Sequence, residues 1–238
     1  MDFISKLIKK KYYVNKGYGF EAVDNIPMNT ILIKETPLID INNIEIYDDS
    51  ILQMFSIIYK VMKNTDTKDK FLKLVPDKLT DNKLIISYEL LIKYINKLPE
   101  TNFKKYFISL SKHDLLLYCL KYTRNAFNFT IYKNNIKFRT PVILTKGTIF
   151  NHSCVPNVIF FKKGHQMYFI TTRDVNKGEE LCDSYIDIKL NKSERQKLLF
   201  DQYGFKCQCN RCKNNDKLYN KTVNNIIKLK DHYIKKIK

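Results

Sequence analysis

The sequence predicts an α+β fold in which a block of helices separates two blocks of short strands. Residues 12–39 and 142–172 are rich in β-branched and aromatic residues bounded by turn residues, a pattern typical of short strands. Between them, across 51–122, apolar residues recur every three or four positions, which is typical of amphipathic helices. A last helical pattern follows residue 191. This order predicts one α+β unit with a helical insertion.

The individual elements follow in chain order. The first predicted strands, separated by turn residues at 24–27, are 17–20, 22–23 and 30–35. The helical block is broken at two Pro-containing segments, 75–77 and 98–99. After Pro141 the predicted strands, with a hairpin turn at 162–165, are 142–144, 158–161 and 167–172. Asn191 or Ser193 is the expected N-cap of a helix through 195–203, and residues 219–238 are a candidate basic amphipathic helix.

Length and composition exclude several classes of protein. The chain has 238 residues, of which 44% are hydrophobic, enough to bury a core in one or two domains. Six Gly and six Pro exclude a collagen-like chain. No apolar run approaches the roughly 20 residues that cross a bilayer, and the sequence does not start like a signal peptide. We therefore expect an intracellular protein of nucleus or cytoplasm, with no membrane partner and no disulfides among its six Cys.

The net charge of +18 is only weak support for nucleic-acid binding. Of the 42 basic residues 37 are Lys and five are Arg, whereas phosphate recognition favours the planar fork of Arg. A solvated lysine surface is therefore the leading interpretation and nucleic-acid binding the weaker one. The positive field attracts acidic partners in a salt-dependent way. No feature of the sequence requires an oligomer, and we expect a monomer.

The strongest single motif is a C-x-C-x-x-C cluster formed by Cys207, Cys209 and Cys212. Three thiolates this close can share one tetrahedral Zn²⁺, which needs a fourth ligand. The remaining candidates are Cys119, Cys154 and Cys182. Cys154 is favoured because it lies in a polar loop, whereas Cys119 is expected to be an ordinary buried thiol and Cys182 resembles a strand residue. The clustering favours metal over a disulfide in a reducing compartment.

Three further segments could carry chemistry. Residues 151–157, Asn-His-Ser-Cys-Val-Pro-Asn, are dense in hydrogen-bonding groups, which is typical of a buried loop that serves a ligand. The simpler interpretation is a turn with a core histidine. Residues 177–181 form a turn that leads towards Tyr185, and the Gly-Tyr-Gly at 17–19 is a weak signal for backbone passing close to a bound group.

Taken together, these four motifs resemble SET-domain lysine methyltransferases in order and rough spacing. The sequence is most similar to the SET-and-MYND family, because 125–127 resembles its Asn-Ser-Phe segment and 194–207 resembles its post-SET region. The resemblance covers about 12–40 and 118–213. The sequence departs from that family in having no MYND finger, no tetratricopeptide-like C-terminal domain, and Val155 where the motif usually has Asp.

The resemblance implies a SET fold of small antiparallel sheets around a pseudo-knot, in which the segment at 151–152 passes through a loop formed by later chain. It divides the sequence into a SET domain at 8–188 with a helical insertion at about 45–120, a zinc-binding post-SET segment at 189–214 and a basic C-terminal helix at 215–238.

The resemblance also implies roles for individual residues. S-adenosylmethionine (AdoMet) would contact Gly17, Tyr18, Gly19, Asn125, Thr148, Asn151, His152, Tyr185, Tyr203 and Phe205. Phe127, Tyr185 and Tyr203 would line the lysine channel, with Tyr185 and Tyr203 as the catalytic residues. One Zn²⁺ would be held by Cys154, Cys207, Cys209 and Cys212.

The implied function is transfer of a methyl group from AdoMet to a lysine of a histone or non-histone protein. The alternative is a catalytically inactive SET-like basic module that binds chromatin or nucleic acid, and methylation of small substrates is a lesser option. The net charge would repel lysine-rich tails unless the pocket mouth is acidic. The candidate acidic residues are Asp183, Asp187, Glu179 and Glu180.

Overall fold

The protein divides into two compact units. The computed structural model describes residues 1–40, 44–79, 87–133 and 136–235, with side chains outside 130–139. One unit is Met1–Thr36 with Lys146–Lys238, and the other is Pro37–Thr145. The domain boundaries inferred from the sequence stay predictions. Among the described helices, none combines the length and apolar character that a bilayer crossing requires.

Helices and short strands alternate in the order that the sequence predicts, which confirms the α+β class. Strands β1 to β10 are, in chain order, Phe3–Ile4, Ile8–Tyr13, Gly17–Ala22, Ile31–Glu35, Ala126–Lys133, Ile136–Ile143, Asn151–His152, Val158–Lys163, Gln166–Thr171 and Glu180–Asp183. Helices α1 to α8 are Ser50–Lys63, Thr65–Leu72, Tyr88–Lys97, Asn102–Ile108, Lys112–Asn125, Lys192–Tyr203, Asn210–Lys213 and Asn220–Lys235.

Two four-stranded sheets build the first unit. One has the order β1-β4-β9-β8 and the other the order β2-β3-β10-β7. In the second sheet β7 pairs in parallel with β10, so that Asn151 lies opposite Cys182 and His152 opposite Asp183. A parallel pair needs a crossover connection, and here the β8–β9 hairpin of the other sheet lies between the two strands in sequence. The crossover brings 151–152 beside the segment that leads to Tyr185.

Strand β2 is absent from the predicted elements because its lysine-rich sequence hides the usual strand pattern. It is an edge strand, and its side chains are mostly exposed. Lys9 and Lys11 lie beside Glu21 of β3, and Lys9 Nζ is 3.1 Å from Glu21 Oε1. Lysines on an exposed edge discourage pairing with other chains, so the pattern has a physical reason.

The predicted C-terminal amphipathic helix is α8, although its last three predicted residues lie outside the described part of the chain. The apolar face of α8 packs on the first unit's own core, where Val223 and Ile226 join Ile159 and Phe161 of β8. The ring of Tyr233 stacks on Phe161 with centroids 4.7 Å apart. The apolar stripe of this helix is therefore covered within the unit, while Lys221, Lys228 and Lys235 are exposed.

Helix α6 decides between the two predicted N-caps. Asn191 accepts a hydrogen bond from the Glu194 amide at 3.0 Å, and Glu194 accepts one from the Asn191 amide at 3.0 Å, which is a reciprocal capping box. The helix ends at Tyr203, and the following Gly204 has a φ of +77°, the left-handed conformation that glycine adopts without strain. This end sets the direction of the segment that carries the cysteine cluster.

The second unit contains helices α1 to α5 and the β5–β6 hairpin. Phe55 and Phe107 pack in its core with ring centroids 4.5 Å apart. Lys121, almost fully buried, donates from Nζ to the carbonyls of Leu72 and Leu74. The predicted break at 98–99 is confirmed, whereas the helical pattern at 80–86 lies outside the described residues.

The hairpin corrects the predicted start of the second strand block. Strand β6 begins at Ile136 and runs through Pro141, which lies opposite Asn128 of β5. The prediction that strands resume only after Pro141 is wrong, because a proline can lie within an edge strand. Both strands of a two-stranded sheet are edge strands. At an edge, the missing N–H of a proline need not cost a ladder hydrogen bond. The alternation of aromatic and β-branched residues at 127–132 was the available signal.

Candidate functional site

The glycine motif lies against the Asn151 side chain. Gly17 has a φ of +79°, so the turn into β3 favours glycine. A Cβ on Gly19 would stand 2.5 Å from Asn151 Nδ2 and 3.1 Å from the ring of Tyr13. Two motifs separated by more than a hundred residues in sequence are therefore in contact, and the missing side chain of Gly19 makes that contact possible.

Glu180 fixes the Asn151 amide from the opposite side. Asn151 Nδ2 donates to Glu180 Oε1 at 2.9 Å, and Lys16 Nζ donates to Glu180 Oε2 at 2.5 Å. The carboxylate therefore joins β10 to β7 and to the residue that precedes Gly17. Sequence reasoning did not assign this role to Glu180 or Lys16, because it depends on the β7–β10 pairing.

His152 is a neutral link between β7 and the segment after β10. Its Nδ1 accepts a hydrogen bond from the Tyr185 amide at 3.0 Å, and its Nε2 lies 3.3 Å from Cys154 Sγ. Burial lowers the pKa of His152 to about 4, so the ring is uncharged near neutral pH. A neutral ring that accepts at Nδ1 carries its proton on Nε2.

An aromatic cluster surrounds His152. The Tyr185 hydroxyl donates to the Phe150 carbonyl at 2.7 Å. The Tyr185 ring centroid lies 4.9 Å from that of Tyr203, and Phe205 lies 6.1 Å from His152 and 6.5 Å from Tyr185. Burial, with smaller effects of nearby acidic groups, raises the pKa of Tyr185 well above its usual value. Tyr185 is therefore a neutral phenol.

Two other predicted site residues of the first unit lie at its margins. Tyr18 is 57% exposed, and its ring packs edge-on against Tyr12 at 5.4 Å. Thr148 is half-buried in the short 3-10 turn Gly147–Ile149 that precedes Phe150. The turn is fixed by Glu35, which accepts a hydrogen bond from the Gly147 amide at 2.8 Å.

The remaining predicted residues belong to the second unit. Asn125 ends α5 and is buried, and its Nδ2 donates to the carbonyls of Val75 at 2.6 Å and Lys121 at 2.7 Å. Phe127 is the second residue of β5 and is half-buried. The predicted contacts of Asn125 with the cofactor and of Phe127 with the lysine channel stay predictions.

Four cysteine sulfurs lie together in the first unit. The Sγ atoms of Cys154, Cys207, Cys209 and Cys212 all lie within 4.8 Å of one another. Cys154 Sγ is 3.6 Å from Cys212 Sγ and 3.9 Å from Cys207 Sγ. Sulfurs bound at about 2.3 Å to a tetrahedral zinc ion lie about 3.8 Å apart, so the spacing fits such an ion. The cluster therefore includes Cys154, the fourth residue favoured by the sequence.

Polar side chains that sequence reasoning missed hold the cysteine segment in place. Gln196 of α6 brackets Cys207, accepting from its amide at 2.9 Å and donating to its carbonyl at 2.8 Å. Arg211 donates to the Ile188 carbonyl at 2.8 Å and binds Asp216. Its position inside the C-x-x-C spacing, in a chain with only five Arg, was the available signal.

The four acidic candidates for the pocket mouth lie in different environments. Glu179 and Glu180 are each bound by a neighbouring cation, Arg173 and Lys16 respectively. Asp183 is only 1% exposed, because it faces the interior of the unit. Of the four candidates, Asp187 alone is exposed.

A sequence profile of the SET domain matches residues 17–186, most of the chain. The chain belongs to the SET-domain family. This confirms the resemblance inferred from the four motifs, and the matched range begins at the glycine turn and ends just after Tyr185.

Relatives of this SET-domain protein include viral and cellular proteins. It is 36% identical over 234 residues to the SET domain-containing protein L678 of Acanthamoeba polyphaga mimivirus, covering 97% of this chain and 87% of that protein. It is 42% identical over 78 residues to the histone-lysine N-methyltransferase ASHR2 of Arabidopsis thaliana, a match that covers 30% of this chain and 20% of that protein. It is 41% identical over 70 residues to the human histone-lysine N-methyltransferase SMYD3, and this match covers 29% of this chain and 16% of that protein. The matches span under a quarter of both methyltransferases.

Solved structures share the fold. Rubisco LSMT bound to AdoMet has a TM-score of 0.57 at 16% identity, covering 85% of this chain and 52% of that one. The SET domain of LSMT bound to lysine and AdoHcy has a TM-score of 0.55 at 17% identity, covering 86% and 54%. The SET fold predicted from the motifs is therefore confirmed, and this chain spans about half of the matched structures.

Proposed function

We propose that this protein transfers a methyl group from AdoMet to a lysine side chain of another protein. The observation that carries the proposal is the set of contacts around β7. Asn151 touches the glycine turn, His152 accepts a hydrogen bond from the Tyr185 amide, and the Tyr185 ring packs against that of Tyr203. The names of relatives and the ligands of similar structures support the same activity.

The first unit has the groups that AdoMet binding needs. Gly17 and Gly19 offer backbone without side chains, Asn151 lies directly against Gly19, and Asn151 and the adjacent His152 are both buried. Tyr203 and Phe205, with centroids 6.5 Å apart, are apolar surfaces suited to the adenine ring. When bound, AdoMet supplies a methyl group already activated by the sulfonium charge.

The protein's own task is then to deliver an uncharged lysine amine in line with that methyl group. A lysine in water has a pKa near ~10.4 and is almost wholly protonated at neutral pH. Aromatic walls made by Tyr185 and Tyr203 disfavour the charged form by excluding water, and the proton leaves to solvent. The Tyr185 hydroxyl donates its hydrogen bond to the Phe150 carbonyl. Its oxygen lone pairs are then the groups that can accept a hydrogen bond from the lysine amine.

A Zn²⁺ ion bound by the four clustered cysteines is part of this proposal. Cys154 follows β7 by two residues, and the other three ligands follow Phe205 closely. One ion at these sulfurs would tie the loop after His152 to the segment that carries Tyr203 and Phe205. The ion would thus have a structural task, ordering the aromatic side of the site.

AdoMet binding provides a direct test of the assigned cofactor site. Replacing Asn151 by Ala is expected to weaken AdoMet binding at least about tenfold, because one buried hydrogen-bonding side chain is lost and Glu180 Oε1 loses its donor. Calorimetric titration measures the affinity. Asn224→Ala, at an exposed position of α8, is the matched control and should bind like the parent. Equal affinity of Asn151→Ala and the parent would place the cofactor elsewhere.

Methyl transfer itself is tested with radiolabelled AdoMet. The purified protein is expected to label proteins in purified histones or in a cell extract, and mass spectrometry should locate the label on lysine. The inactive alternative predicts AdoMet binding without transfer, together with nucleic-acid binding that weakens steeply with salt. Label on a small molecule, with none on protein, would replace the protein substrate by a small one.

A further inference from the structure

Glu35 is a buried carboxylate that the proposed reaction does not use. It ends β4, which belongs to the other sheet from β7, and it is only 2% exposed. Its oxygens accept hydrogen bonds from the Lys146 amide at 2.9 Å and 3.1 Å and from the Gly147 amide at 2.8 Å. A charged group is costly to bury without such partners. The carboxylate therefore holds the start of the 3-10 turn Gly147–Ile149.

This turn takes its capping group from a distant strand. The first amides of a helical turn have no acceptor within the turn. Lys146 occupies the N-cap position, but an ammonium group only donates, and its Nζ donates to Asp2 Oδ2 at 2.8 Å. Glu35 thus supplies the acceptor that an N-cap side chain normally supplies. The two acidic residues hold Lys146 by two different groups, its amide and its ammonium.

Phe150 follows the turn directly and connects it to Tyr185. Its amide donates to the Gly147 carbonyl at 3.4 Å. Its ring is fully buried and packs on Phe20 of β3 and Phe169 of β9, with centroids 4.9 Å and 5.2 Å away. Its carbonyl accepts the hydrogen bond of the Tyr185 hydroxyl at 2.7 Å. The direction of that carbonyl depends on where the turn ends.

The next residue, Asn151, has anchors of its own. It lies opposite Cys182 in the parallel pairing of β7 with β10, and its side chain donates to Glu180 at 2.9 Å. A displacement of the turn would therefore move the Phe150 carbonyl more than it moves Asn151. The Glu35 contact thus acts on the Tyr185 side of the site and leaves the glycine turn in place.

We propose that Glu35 is a positioning residue that holds the Phe150 carbonyl, through the turn Gly147–Ile149, where the Tyr185 hydroxyl donates to it. With its proton held there, the hydroxyl oxygen can accept a hydrogen bond from the lysine amine. The effect of Glu35 on turnover rests on the proposed methyl transfer, whereas the link between Glu35 and the Tyr185 hydrogen bond does not.

The test is a double-mutant cycle in the full chain. Glu35→Gln keeps the shape of the side chain, but it leaves one oxygen for two amides and brings an NH2 group against the other amide. It is combined with Tyr185→Phe, which removes the hydroxyl. Thr171→Val is the matched control, because Thr171 is fully buried and its hydroxyl binds the Thr30 amide and the Pro27 carbonyl. It loses buried hydrogen bonds of the same unit without removing a contact of the turn.

Unfolding in urea reports on the link without any assay of turnover. Tyr185→Phe removes the donor of the Phe150 carbonyl, so it should lower the free energy of unfolding of the parent. In the Glu35→Gln background that hydrogen bond is already weakened, and the same replacement should lower the free energy of unfolding less. In the Thr171→Val background the loss should equal that in the parent. Equal losses in the Glu35→Gln and parent backgrounds would overturn the link.

Turnover reports on positioning. Glu35→Gln should lower kcat about 10-fold to 100-fold with little change in AdoMet affinity, the effect of a misplacement of up to roughly 1 Å. In the Tyr185→Phe background it should lower kcat little further, because the hydroxyl that it positions is gone. Thr171→Val should turn over like the parent below its unfolding midpoint.

Two results would overturn the positioning role and assign the effect to general destabilisation. One is a double variant in which the losses of Glu35→Gln and Tyr185→Phe multiply. The other is a loss in Thr171→Val as large as that in Glu35→Gln. If the parent transfers no methyl group, the proposed function fails, and the unfolding cycle alone decides whether the link exists.

Discussion

Replacement of Tyr185 by Phe is expected to lower methyl-transfer turnover about 100-fold to 1,000-fold, the loss typical of one transition-state hydrogen-bonding group. The ring contacts with Tyr203 and His152 are retained in the variant, so the walls of the aromatic cluster stay in place. What disappears is the hydroxyl oxygen that accepts from the lysine amine. AdoMet affinity should be nearly unchanged, because Asn151 and the glycine turn are untouched.

Single-turnover and steady-state rates with radiolabelled AdoMet measure this effect, together with calorimetric AdoMet binding. Tyr233→Phe is the matched control, because Tyr233 stacks on Phe161 and takes no part in the proposed site. The variant also leaves the Phe150 carbonyl without its donor, which costs stability of about 1–3 kcal/mol. Full turnover in Tyr185→Phe, or a loss confined to the apparent affinity for AdoMet, would remove Tyr185 from the reacting centre.

The cysteine cluster shows what local chemistry can predict from sequence. Cys207, Cys209 and Cys212 are too closely spaced to be unrelated, and zinc requires a fourth ligand, so the search reduces to three cysteines. A polar loop around Cys154 makes it the favoured one, and its sulfur does lie 3.6 Å from that of Cys212. The prediction succeeds because ligand number and type are properties of the metal, whatever the fold.

The contacts of the polar groups that support the site could not be predicted from the sequence, and the reason is physical. Glu180 meets Asn151 only because β7 and β10 pair in parallel across an intervening hairpin, and no local pattern encodes that register. Asp183 was one of four acidic candidates for the pocket mouth, because a charged residue is usually exposed. Asp183 ends β10, whose last three residues are all buried, and that burial depends on tertiary packing that no local pattern encodes.

Replacement of Cys209 by Ser is expected to abolish stoichiometric zinc binding. The parent should hold one zinc ion per chain by elemental analysis, because four sulfurs within 4.8 Å of one another match one tetrahedral ion. With three thiolates left, the ion would be held weakly and removed by a mild chelator. The control is Cys119→Ala, because Cys119 lies in α5, outside the cluster, and its replacement should leave the zinc content at one per chain.

Loss of the ion should affect more than the metal content. The cluster joins the loop after His152 to the chain that follows Phe205, and structural zinc sites supply folding free energy directly. Removal of zinc by a chelator should therefore lower the unfolding midpoint of the parent and of Cys119→Ala, whereas the midpoint of Cys209→Ser should already be low and should not respond. AdoMet should bind more weakly to Cys209→Ser because Tyr203 and Phe205 are no longer fixed.

Gln196 and Arg211 would still hold parts of the segment without zinc, through hydrogen bonds to Cys207 and to the Ile188 carbonyl. The folded state should thus survive in loosened form, with faster amide exchange at 203–212 than at the β8–β9 hairpin. A parent protein that contains no zinc and protects 203–212 fully would show that these polar contacts alone order the segment.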